Sequence, residues 1–235
     1  MRQWLERRMD AMKITVMSAA SPVRLLACYI GITALVYLET NGFTRIVSPF
    51  MSALPLLALA AFTLTTRMQI QPKLFTVSSC VVGAGAIYLQ TSAWSPLSFA
   101  AILVAVRNVL YFLSFKHILY RWSKPICIVG GLYLLTVTWI CFADLFVSIP
   151  TLVCCLLLGL CSAVFLVVAS GSLASQGGDT QSLVIRVIGA CLETAAVSMF
   201  IYSAFGTRSE NVLSMYRVCE YAAHGLLFFA NEREF

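Results

Sequence analysis

The sequence predicts an all-α fold, a polytopic bundle of about eight transmembrane helices, and three observations carry that prediction. Hydrophobic residues make up 60% of the 235 residues and charged residues only 11%, where a soluble domain carries roughly 25% charge. The apolar residues fall in blocks repeated from end to end, each near the ~20 residues that an α-helix needs to cross the hydrocarbon core. No hydrophilic stretch is long enough to enclose a separate soluble core.

Apolar runs and their polar punctuation place the spans near residues 21–38, 46–64, 74–91, 96–114, 125–142, 149–171, 183–204 and 211–229. Each boundary has a local cause. Glu39-Thr40-Asn41-Gly42 ends the first span, and Gln71-Pro72-Lys73 precedes the third. Ser95-Pro96 opens the fourth and Lys124-Pro125 the fifth, while Pro150 suits the first turn of the sixth, where the missing N–H costs nothing. Gly177-Gly178-Asp179 and Gly206-Thr207-Arg208 close the last two gaps.

Residues 1–20 form a cytoplasmic N-terminal segment, 21–229 the bundle and 230–235 a cytoplasmic tail. The N-terminal segment is not expected to be a cleavable signal peptide, because Glu6 and Asp10 interrupt its basic residues and the long apolar run starts only near Pro22. Trp4, Leu5, Met9 and Met12 share one side at helical spacing, which suits a helix lying in the membrane interface.

Orientation follows from the Lys and Arg of alternate loops. With the N-terminus cytoplasmic, that side holds Arg2, Arg7, Arg8, Lys13, Arg67, Lys73, Lys116, Arg121, Lys124 and Arg233, and the other holds Arg45 and Arg208. The asymmetry requires an even number of spans and puts both termini in the cytoplasm. The net charge of +6 is thereby explained by topology, and a nucleic-acid partner is excluded. The nine cysteines all fall inside apolar segments with no CxxC or Cys/His spacing, so neither a metal site nor a disulfide framework is expected. No nucleotide motif is present, and no cofactor is expected.

An ionisable side chain at mid-bilayer costs about 2.5–3.5 kcal/mol on insertion scales and marks a site or a structural pair. Arg107 lies in the fourth span, Arg186 and Glu193 in the seventh, and Arg217, Glu220 and His224 in the eighth. Arg217, Glu220, Tyr221 and His224 share one helix face, as do Arg107, Tyr111 and Ser114, with Asn108 at the edge. Three helices thus carry polar stripes that must avoid lipid, which predicts one polar pocket between them with Arg107 hydrogen-bonded to Glu193 or Glu220. Glu193, Glu220 and His224 are its acid/base candidates. A buried structural network, with Arg107 neutralising a glutamate, explains the same residues equally well.

In order along the chain after residue 45, the sequence resembles the lysoplasmalogenase family, the YhhN-type eight-helix membrane proteins. Ser52-Ala53-Leu54-Pro55 stands where the family has Lys-Pro-Leu-Pro, and Gly85-Ala86 where it has Gly-Asp. Asn108-Val109-Leu110-Tyr111 stands for His-Leu-Leu-Tyr, and Pro150-Thr151-Leu152-Val153 echoes the start of the family's sixth helix. Gly189-Ala190-Cys191-Leu192 opens a segment that leads to a Ser-Asp pair, here Ala196-Val197. Glu220-Tyr221-Ala222-Ala223-His224 is similar to Tyr-Tyr-Ala-Ala-Gln.

The resemblance implies a hydrolase that cleaves the vinyl-ether bond of lysoplasmalogens, with a lysophospholipid or other single-chain lipid as partner. It implies residence in the endoplasmic reticulum membrane of a eukaryote or the plasma membrane of a bacterium. Arg107, Asn108, Tyr111 and Tyr221 would contact substrate. The motif lysine, histidine and both aspartates are replaced, by Ser52, Asn108, Ala86 and Val197. Glu193, one turn before Val197, is placed to restore one carboxylate, and Glu220 to supply the second. A non-catalytic lipid-binding or transport protein with the same fold is the alternative.

Overall fold

The computed structural model describes residues 21–44, 48–92, 97–144, 149–177, 179–205 and 210–235, so the expected interfacial helix lies outside the described residues. Prolines start the first two helices. Helix α1 spans Pro22–Glu39 and α2 spans Pro49–Thr65, and Ser48 caps α2 by accepting the Phe50 N–H. Helices α3 (Ile70–Thr91), α4 (Leu97–Phe115) and α5 (Lys124–Asp144) follow, with a single 3-10 turn over Lys116–Ile118 after α4. Helix α6 is continuous but not uniform: Ile149–Cys154 is α-helical, Cys155–Leu160 is π-helical and Cys161–Ala174 is α-helical again. Helices α7 (Thr180–Phe205) and α8 (Glu210–Glu234) complete the chain. Among the described residues there are eight helices and no strand.

The protein is therefore an all-α helical bundle. Among the described residues, five stretches are long and apolar enough to cross a membrane: Pro22–Glu39, Ile70–Thr91, Leu97–Ile118, Thr151–Ala174 and Thr180–Ala204. Large apolar side chains cover the perimeter, with Leu38 73%, Ile70 84% and Trp139 77% exposed. Water would penalise that surface and acyl chains would not, so the chain is a multi-pass membrane protein.

Two boundaries differ from expectation. Helix α3 begins before Gln71-Pro72-Lys73, because Pro72 sits within the first turn, where a helix tolerates proline. Residues 230–234, expected as a tail, continue α8, and Asn231 is buried there by its side-chain hydrogen bonds.

Helix α8 packs along α7, and α3 lies between α2 and α4. One apolar cluster joins α3, α4, α6 and α7 around Val104, Leu156, Leu160 and Ile201. A second joins α1, α2, α3 and α8 around Tyr29, Leu56, Leu59 and Phe228. A third joins α4, α6, α7 and α8 around Phe115, Leu166, Ala169 and Leu227. The polar stripes of α4, α7 and α8 meet among these clusters.

Candidate functional site

Helix spacing puts Arg107, Tyr111 and Ser114 on the inward face of α4, and all three are buried. Arg107 fits there because α3 carries Gly83 opposite it. A Cβ on Gly83 would lie 2.9 Å from Arg107 Cδ and 3.1 Å from Leu56 Cδ1. Ser79, one turn earlier on α3, donates to the Arg107 carbonyl at 3.0 Å and ties α3 to α4.

The guanidinium of Arg107 joins two helices. Its Nη2 donates to Glu193 Oε1 on α7, and its Nη1 donates to Glu220 Oε1 on α8 at 2.9 Å. Arg217, one turn before Glu220, donates to Glu220 Oε2 at 2.8 Å and to Gln90 Oε1 at 3.1 Å. Both oxygens of Glu220 are thus held by guanidinium groups. Glu193 Oε2 is buried without a hydrogen-bond partner, as is Arg107 Nε. The four charges cancel, which is how a low-dielectric interior tolerates them.

Beside this tetrad lies a narrow cavity of about 20 Å³, room for about one water molecule. Arg107, Glu220, Gln90 and Tyr216 supply its polar lining. Val104, Cys155, Gly159, Val197, Phe200 and Ile201 are among its apolar walls. The π-helical turn of α6 presents Cys155 and Gly159 to it. Such a turn admits one extra residue and re-aims the side chains around it, a device frequent at functional sites. Val197 lines this cavity, and Glu193 one turn away on α7 reaches Arg107 beside it.

The remaining sequence candidates separate. Tyr111 and His224 form a pair: His224 Nδ1 lies 3.2 Å from Tyr111 Oη with the rings stacked, and Cys80 Sγ lies 3.6 Å from the same hydroxyl. His224 Nε2 is buried and unpartnered. Asn108 turns to α6 and donates to Ser162 Oγ at 3.1 Å. Tyr221 points the other way, toward α1 and α2. Its hydroxyl donates to the Ser52 carbonyl at 2.5 Å, in the turn of α2 that Pro55 interrupts.

No protein-family model, curated protein or solved structure matches the chain.

The arrangement itself must therefore carry the reading, and it corrects the expectation of a single polar pocket. The stripes resolve into two clusters. Arg186, seven residues before Glu193 on α7, does not join Arg107. Its Nη2 donates to Asn231 Oδ1 at 3.0 Å, its Nη1 pairs with Glu234 at 3.5 Å, and its guanidinium lies 4.8 Å over the Phe115 ring. Asn231 donates onward to Thr76 and Ser114 at 2.9 Å each. Two helical turns are about 11 Å, enough for one helix face to serve two sites.

Sequence reasoning placed Arg217 on the stripe but did not count it among the site residues. Its offset of three from Glu220 was the available signal. Ser162, Gln90 and the π-helical turn carried no such signal, because a serine or glutamine in an apolar run is common and a π turn has no fixed residue pattern. Among the described residues no group of His, Cys, Asp and Glu has the geometry to hold a metal ion.

Proposed function

We propose that the protein is a lysoplasmalogenase-like membrane hydrolase that cleaves the vinyl-ether bond of a single-chain lipid beside Arg107, the apolar walls of the narrow cavity there parting to admit the chain. The observation that supports this best is two carboxylates held on one arginine, with that arginine and Glu220 lining a cavity whose other walls are mostly apolar. Cleavage needs an acid to protonate the alkene carbon and a carboxylate to steady the resulting oxocarbenium-like centre and receive a proton from the attacking water. The hemiacetal then collapses to a fatty aldehyde and the glycerol hydroxyl.

Unequal surroundings suit unequal roles for the two glutamates. Glu220, gripped at both oxygens by Arg107 and Arg217, is the fixed carboxylate. Glu193, with Oε2 unpartnered, has an oxygen able to carry the proton. His224, positioned by Tyr111, has Nε2 free to exchange a proton. The positive-inside bias of the loops supports eight spans with both termini in the cytoplasm.

The test is release of fatty aldehyde from a lysoplasmalogen by purified protein in detergent. Glu193→Gln should abolish release while the fold persists, because an amide keeps the shape but neither gives nor takes the proton. His224→Ala should slow release by about 10²- to 10⁴-fold if the imidazole transfers a proton. One observation favours the alternative of a non-catalytic lipid-binding protein: the tetrad is charge-balanced and serves as a structural tie without any reaction. Binding of lysolipid without aldehyde release would select that reading.

A further inference from the structure

Away from the tetrad, a groove of about 300 Å³ separates the start of α3 from the end of α4. Pro72, Phe75 and Leu113 form its floor, and Gln71, Lys116 and His117 its rim. Three features set it apart. It lies where two stretches long and apolar enough to cross a membrane, Ile70–Thr91 and Leu97–Ile118, end together, the level at which a bilayer spanned by both passes from acyl chains to headgroups. Tyr120 and Trp122, both exposed, follow it in the connection from α4 to α5, as interfacial aromatics do.

On α3, α4 and the connections around them the charge has one sign, while α8 ends beside His117 with Glu232 and Glu234. Between Asn41 and Ala143 the chain has seven Lys and Arg residues and no Asp or Glu. The neighbouring Lys73 is occupied, donating to the Thr66 carbonyl at 2.9 Å. Lys116 and His117 are exposed and make no ion pair among the described residues; the His117 ring rests 5.0 Å from that of Phe235. A lysine over an apolar floor at a membrane boundary, with a histidine N–H beside it, is complementary to a phosphate headgroup followed by acyl chain.

We propose that this groove is a binding site for an anionic phospholipid, with Lys116 and His117 on the phosphate and Phe75 and Leu113 against the first acyl methylenes. The site is independent of the cavity beside Arg107 and of any reaction there.

The experiment titrates purified full-length protein in neutral detergent with phosphatidylglycerol or phosphatidylcholine and counts bound lipid by native mass spectrometry. Phosphatidylglycerol should bind more tightly. Lys116→Ala should weaken it by about fivefold, the equivalent of ~1 kcal/mol for one interfacial cation, with phosphatidylcholine unchanged. Lys116→Glu should weaken it further. Leu113→Trp, which fills the floor without changing charge, should also reduce binding. Lys124→Ala, at the same end but outside the groove, should leave the preference intact. Equal losses in Lys124→Ala and Lys116→Ala would mean diffuse surface attraction and overturn the site. No loss in Lys116→Ala and Lys116→Glu would overturn it as well. Competition by millimolar inorganic phosphate would instead identify a soluble-anion site and refute the lipid.

Discussion

Replacing Arg107 by leucine removes one of four charges that cancel in the bundle interior. Arg107 and Arg217 balance Glu193 and Glu220, so the variant leaves a net charge of −1 among fully or nearly fully buried groups. Glu193 suffers most, since Arg107 is its ion-pair partner, whereas Glu220 keeps Arg217 at 2.8 Å. Removing one partner of a buried pair typically costs about 3–5 kcal/mol. Reversible unfolding in mixed micelles, followed by circular dichroism, reads this directly. Adding Glu193→Gln to Arg107→Leu should recover a large part of the loss, because it removes the stranded carboxylate. A coupling energy of about 2 kcal/mol or more is expected for groups in direct contact, against a few tenths for independent sites. A loss below ~1 kcal/mol in Arg107→Leu, the range of exposed pairs, or additive losses in the double variant, would refute a buried tetrad.

Three further outcomes follow from the same geometry. Gly83→Val should displace the Arg107 stem and lower stability by about 1–3 kcal/mol through overpacking, with lysolipid binding falling in parallel; wild-type melting and binding would show that the contact at Gly83 is not tight. Tyr221→Phe should cost about 0.5–1.5 kcal/mol, because it removes a buried hydrogen bond between α8 and α2, yet leave lysolipid affinity unchanged; a selective fall in affinity at wild-type stability would return Tyr221 to the binding site. Single cysteines at positions 2 and 233 should react with an impermeant maleimide only after permeabilisation, and one at 208 before it; the reverse pattern would overturn the orientation.

How far the sequence reaches is clearest in α7. Composition and block length established an all-α membrane bundle, because span length is set by bilayer thickness and burial of backbone polar groups leaves the helix as the local solution. The face shared by Arg186 and Glu193 was equally legible, since 3.6-residue periodicity is a property of the chain alone. Partner choice was not. Whether Arg186 meets Glu193 through Arg107 or turns to Glu234 depends on the depth at which α8 crosses α7, a rigid-body quantity with no local code. Expectation paired Arg107 with either glutamate; the fold pairs it with both, because α7 and α8 present their carboxylates to the same point of α4.

Tyr221 makes the same case from the other side. Its neighbours in sequence, Glu220 and His224, face the interior of α4, and helical spacing grouped all three. A stripe about 100° wide contains directions that reach different helices, and Tyr221 takes the one that meets the interrupted ladder at Pro55 of α2. The π-helical turn that carries Cys155 and Gly159 to the cavity was likewise invisible, since the same apolar letters suit an α turn. Element identity was thus decided by chain-local physics, the period of the backbone and the transfer of side chains from water. Which polar groups touch was decided by how whole helices pack, where close approach at Gly83 and the cancellation of four charges select one arrangement among several that the stripes allow.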